Sequence, residues 1–139
     1  MPSTTPPAAA WSVQFHDDFD AEFDAFDQDV QDRLLEVASA VERVGPQAGR
    51  PHVDTLHGSK HKNMKEMRFD AHDGNETWRA AFAFDPQRRA VVLVAGAKQG
   101  RSQKAFYAAL IKTADMRLDG HLRAMKATAQ ATKISKAKE

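Results

Sequence analysis

Residues 64–97 read MKEMRFDAHDGNETWRAAFAFDPQRRAVVLVAGA. Three runs in this segment, Met64 to Ala71, Thr77 to Asp85 and Arg89 to Ala97, have strand composition and are separated by two turns. In HDGN, Asp73-Gly74 supplies the positive φ of a hairpin turn, and in DPQR, Pro86 stands where a type I turn wants its fixed φ. An antiparallel meander follows. Alternation in the middle strand sets Trp78, Ala80, Phe82 and Phe84 against Arg79, Ala81 and Ala83; in the first it sets Met64, Glu66, Arg68 and Asp70 against Lys65, Met67, Phe69 and Ala71. One sheet face is therefore apolar and able to cover helices, while the other is expected to show Arg68 and Arg79 to solvent or ligand.

Upstream, Trp11 to His16 alternates as a half-buried strand. Phe19, Phe23, Phe26, Val30, Leu34, Val37, Val41 and Val44 then recur at steps of three and four, the spacing of one helix face. Asp17 or Asp18 can cap the start, and Gly45-Pro46 supplies the stop. So long a helix invites a break at Asp27-Gln28-Asp29, which would fold it into an antiparallel helical hairpin with Asp27 or Asp29 as a cap. Pro46 to Asn63 is expected to be a basic connecting loop. Downstream, Ser102 to about Met125 reads as a C-terminal helix striped by Phe106, Leu110, Ala114, Arg117 or Leu118, and Leu122. These elements predict an α+β fold. Residues 1–10 are expected to form a flexible leader, 11–125 the domain, and 126–139 a basic, frayed or disordered tail.

The 139 residues suit one domain, and 42% hydrophobic composition is that of an ordinary globular chain. No apolar run approaches the roughly 20 residues that cross a bilayer, so no membrane association is expected. The absence of cysteine excludes disulfides, thiol catalysis and cysteine-ligated metals. A net charge of +1 conceals a strong segregation: residues 1–45 hold ten acids and two bases, a balance of −8, and the remainder stands at +9. The basic part suggests a surface for a polyanion. The acidic part reads as a solvated helix face.

Gly58 to Arg68 packs Lys60, His61, Lys62, Lys65 and Arg68 into eleven positions at a loop-to-strand junction, and a neighbouring strand adds Arg79. Lys98 ends the last strand, with Arg101 and Lys104 close behind it. Such cations neutralise phosphate and stabilise charge on a phosphorane-like transition state, and His61 can move a proton near neutral pH. This is equipment for a metal-independent ribonuclease, although a solvated basic loop has the same composition. His52, His57 and His61 lack the carboxylate cluster that a metal site would need, so no metal or cofactor is expected. Tyr107 reads either as a core residue with its hydroxyl at the edge or as an active-site hydroxyl. No P-loop, dinucleotide fingerprint or nucleophile elbow is present.

The segments GPQAGRPHVDTLHGSKHKNMKEMRF, WRAAFAFDPQRRAVVLVAGAKQG and KAFYAALIKTADMRLDGHL together resemble the RelE/HigB-type toxins of bacterial toxin–antitoxin systems, especially their phage-derived branch. The resemblance covers residues 11 to 123 and is most specific in the NMKEMRF strand, the FAFDP turn and the strand-to-lysine-to-helix ending. It implies a RelE-like compact domain: N-terminal strand, helical hairpin, antiparallel sheet, C-terminal helix. It also implies a cytoplasmic endoribonuclease that cleaves mRNA on the ribosome without metal, neutralised by a small helix-turn-helix antitoxin. By position it casts Lys60, Lys62 and Arg79 as phosphate and transition-state contacts, Arg68 as a further contact or a partner of Glu66, and Lys98 as a leaving-group or phosphate contact. Lys65, Arg101 and Lys104 join them as expected RNA contacts. Gly96-Ala97-Lys98-Gln99 departs from the Gly-Asp-Lys-Thr of relatives, and no base is assigned, His121 being the nearest substitute. A ParE-like gyrase inhibitor and a degenerate domain that only binds antitoxin or RNA are the competing readings.

Overall fold

The computed structural model describes residues 11–100 and 102–137, with side chains through residue 133; the expected leader and Arg101 lie outside the described residues. The elements are β1 (Ser12–Phe15), α1 (Asp17–Asp24), α2 (Gln28–Val44), a 3-10 turn (Gly45–Gln47), β2 (Val53–Thr55), β3 (Met64–Ala71), β4 (Glu76–Phe84), β5 (Arg89–Ala97) and α3 (Gln103–Ala137). The five strands are ordered β1-β5-β4-β3-β2. β1 runs parallel to β5 and every other pairing is antiparallel. This is the α+β arrangement expected from the sequence, meander and helical hairpin included.

The long apolar stripe breaks where the aspartates stand. Asp27 caps α2, its carboxylate accepting from the Val30 amide at 3.1 Å. The cap of α1 is His16 rather than Asp17 or Asp18: its Nδ1 accepts from the Asp18 amide at 3.1 Å. Both turns of the meander form, with His72 (φ 55°), Asp73 (φ 57°) and Arg88 (φ 63°) in the left-handed region. Two expectations fail. The connecting loop contains β2, which is anchored by Val53 and pairs with Met67. The last helix does not end near Met125 but continues to Ala137, because the alanines, lysines and glutamine of this segment favour helix without needing a partner to pack against.

Helices cover both faces of the sheet. Phe19, Val30, Leu34, Val37 and Val41 of α1 and α2 pack on Met67, Phe69, Ala80, Phe82 and Val92. Phe106, Leu110, Ala114 and Leu118 of α3 pack on Met64, Ala81, Ala83, Val91 and Leu93. The second face is thus closed along much of its length, contrary to the expectation of an open basic surface. Small side chains at Ala81, Ala83 and Gly96 let α3 approach; a Cβ added at Gly96 would stand 3.3 Å from the Phe106 ring.

Register between β4 and β5 changes once: Ala81 pairs with Val94 but Phe82 with Val92, leaving Leu93 as an extra residue. This bulge reverses which face alternate residues take. Before it, Ala90 and Val92 face α1 and α2; after it, Ala95 does, while Leu93 and Val94 both pack toward α3. Its consequence is functional. Lys98, an even-numbered residue, ends on the α3 face, with its Nζ 5.5 Å from the centre of the Tyr107 ring.

Candidate active site

At the N-terminal end of α3 a groove of about 300 Å³ opens between β2, β3 and the helix, lined by residues that include Asp54, His57, Glu66, Arg68, Gln103 and Tyr107. Register brings Arg68 and Arg79 directly opposite each other on β3 and β4. Two like charges side by side repel, and each is compensated separately. Arg68 reaches Asp54 of β2 at 3.5 Å. Arg79 pairs through Nε with Glu66 at 3.2 Å, and its Nη1 donates to the Trp78 carbonyl at 2.9 Å. Glu66 is therefore the partner of Arg79, not of Arg68.

Tyr107 completes the group. Its hydroxyl donates to Glu66 Oε1 at 2.9 Å and accepts from Arg79 Nε at 3.3 Å. Burial, opposed by the bond from Arg79, pushes the phenol above its ordinary value, so the hydroxyl keeps its proton at neutral pH and acts as a hydrogen-bond donor. Lys98, whose backbone amide donates to the Thr77 carbonyl at 2.8 Å, is half-buried beside it. Burial first, then the charges of Arg79 and Arg68, hold its ammonium below the usual lysine range. That combination eases loss of the Lys98 proton relative to a solvated lysine.

The other expected residues do not join. The Lys60 ammonium pairs with Asp119 of α3, and His61 Nε2 meets the same carboxylate at 2.8 Å. Ser59 Oγ donates to Asp115 and accepts from the His61 amide at 2.9 Å. Asp119 stands about 18 Å along the helix from Tyr107 at 1.5 Å per residue. Hydrogen bonds and charge from Lys60 and His61 lower its pKa. His121 is equally remote, its Nε2 bound to the buried carboxylate of Asp85 at 3.0 Å. Lys62 lies exposed in the loop, Lys104 is exposed in the first turns of α3, and the alternation of β3 puts Lys65 on the α1/α2 side of the sheet. The histidine that lines the groove is His57, which the sequence flagged only as one of three spaced imidazoles. Asp54 and the Glu66–Tyr107 bond carried no signal, since their partners are distant in sequence.

A family model described as phage derived protein Gp49-like matches residues 21–119. The chain belongs to that Gp49-like family. Two proteins of Mycobacterium tuberculosis are similar to it: "Putative toxin HigB2", 42% identical over 96 residues, and "Putative toxin HigB3", 36% identical over 100 residues. The first alignment covers 69% of this chain and 47% of the relative, so the chain spans about half of that protein; the second covers 72% and 83%. The match to a phage-derived, HigB-named group agrees with the resemblance read from the sequence. In this Gp49-like chain the matched span runs from α1 through Asp119 and so contains every groove residue named above.

Proposed function

We propose that this Gp49-like protein is the toxin of a toxin–antitoxin module, and that it is a metal-independent endoribonuclease cutting mRNA on the ribosome, in the cytoplasm, until an antitoxin masks it. What carries the reading is the groove lined by Arg68 and Tyr107, with Arg79 bonded to the Tyr107 hydroxyl and Lys98 brought beside its ring by an unpaired bulge residue in β5.

In such a site a ribose 2′ oxygen attacks the adjacent phosphorus as the bond to the 5′ oxygen breaks. Arg68, at the groove wall, binds the non-bridging oxygens, where charge grows in the transition state, and Tyr107, its hydroxyl donating to Glu66, shapes the wall beside it. Arg79 is too buried to leave Glu66 and serves to fix Glu66 and Tyr107 in place. Lys98, with its lowered proton affinity, gives a proton to the departing 5′ oxygen. The 2′ proton goes to His57, the groove's own imidazole, rather than to His61, which Asp119 occupies.

The test is controlled expression of the wild type and of Arg68→Ala/Lys98→Ala, with growth and mRNA 5′ ends read together. Lys60 and Arg79 are poorer targets, because the first pairs with Asp119 away from the groove and the second is a buried partner of Glu66. Arrest with codon-phased cuts that the variant loses by 100-fold or more is the expected outcome. Arrest with intact mRNA would point to gyrase instead, and absence of arrest to a degenerate binding domain.

A further inference from the structure

The outer face of α3 carries charge that the groove does not use. At 3.6 residues per turn, Lys104, Lys112, Arg123, Lys126 and Lys133 fall within an arc of about 100°, roughly opposite the buried Phe106, Leu110, Ala114 and Leu118. All five are exposed. From Lys104 to Lys133 the stripe extends about 44 Å at 1.5 Å per residue. The two acids of the helix, Asp115 and Asp119, fall within the same arc between Lys112 and Arg123, and both are held by the loop between β2 and β3, through Ser59, Lys60 and His61. The loop returns a cation for what it takes, since the Lys60 side chain remains 60% exposed.

Leu122 is the last described side chain of α3 packed against the core, and from Lys126 to Lys133 every residue is exposed. A helix continued beyond its core contact, alanine-rich and free of acids after Asp119, gains nothing from the domain interior. Its chemistry is that of a rod of fixed positive charge, and the acidic face of the molecule belongs to α1 and α2 on the other side of the sheet.

We propose that this stripe is a second RNA-binding site, which tracks the phosphate backbone of structured RNA independently of sequence while the groove at the helix N-terminus holds the strand to be cut. Phosphate is the partner that a line of lysines and an arginine fits best when it has no aromatic side chain among them and its two carboxylates are already held by Ser59, Lys60 and His61. The site extends the ribonuclease reading but does not depend on it.

The experiment uses the full chain and a fluorescent, fully paired RNA stem of about 16 base pairs, the length that shape-reading RNA domains span, titrated between ~50 and ~200 mM salt. Replacing Lys112, Arg123, Lys126 and Lys133 by Gln is expected to weaken binding at least tenfold at the lower salt. It should also flatten the dependence of log affinity on log salt by about 3, four phosphate contacts at 0.7–0.9 each. Lys112→Arg/Lys126→Arg/Lys133→Arg should bind as the wild type does. Should the quadruple change disturb folding, Lys133→Glu alone, at an exposed position remote from the core, is to lower affinity in the same direction. Unaltered affinity and slope in the Gln variant would overturn the proposal. So would loss of poly-glutamate binding with stem binding kept, which would assign the stripe to an acidic protein. Uncut mRNA from the wild type would sink the ribonuclease reading and leave the stripe standing, because the stem offers no strand for the groove.

Discussion

Glu66 and Arg79 are only 6% and 7% exposed as side chains, and each depends on the other for its charge. Breaking such a pair leaves one uncompensated ion in a dry site, whereas replacing both with apolar groups is often harmless. Arg79→Ala should therefore cost about 3–5 kcal/mol in urea unfolding, and Glu66→Leu/Arg79→Met should recover most of it while leaving RNA cleavage impaired, because Tyr107 loses its anchor. His72 offers a different test. Its amide donates to Asp29 at 2.6 Å and its ring meets Asp27 at 2.8 Å, which ties the β3–β4 turn to the start of α2. The hydrogen bond with Asp27 and neighbouring carboxylates raise the imidazole pKa above 6.5, even against desolvation. A raised folded-state pKa means the stabilisation is complete below the unfolded value and fades as pH rises through the folded one. Amide exchange in residues 70–76, corrected for its intrinsic pH dependence, should accelerate over that window. His72→Asn, which keeps the positive φ, should remove the effect.

At the scale of elements, the sequence displays what is periodic and hides what is aperiodic. The stripe Val30, Leu34, Val37, Val41 reveals α2, and two turn signals reveal the meander. β2 is too short to show a pattern, and the run AVVLV is apolar at every position, so nothing in it marks where the Leu93 bulge reverses the faces. That switch, not the list of cations, places Lys98 on the α3 face beside Tyr107. The cations themselves are legible as a group; their sorting into groove, loop and stripe is not, because Asp54, Asp115 and Asp119 act across the fold rather than along the chain. Gly96 is where β5 meets α3 most closely, so Gly96→Ala should press on Phe106 and shift the first turns of the helix. The expected cost is about 1–3 kcal/mol in thermal unfolding, with a loss of cleavage larger than that figure alone implies, since Tyr107 is the next residue.

As a whole molecule the protein is a sheet with an acidic helical layer on one face and a basic helix on the other. Its interior is continuous from Trp78 through Phe26, Phe19 and Phe15, ring to ring at 5.0–6.1 Å. Tryptophan fluorescence and the bulk of the helical circular dichroism should then lose signal together on denaturation. The segment of α3 beyond Met125 should melt earlier, as a sloping baseline before the main transition, because it lacks packing. Coincidence of all signals without that slope would show the outer helix to be held more firmly than its exposure implies.

The parallel pairing of β1 with β5 has a temporal side. Ser12 registers with Arg89 and Phe15 with Val92, so β1 waits for β5, made much later, before its edge is satisfied. Lys98 and Tyr107 follow later still. A chain emerging residue by residue from the machine that makes it cannot assemble the groove until Tyr107 has been translated. The ribonuclease proposed above would thus be inert while its own message is read through that point, and gain its activity only afterwards.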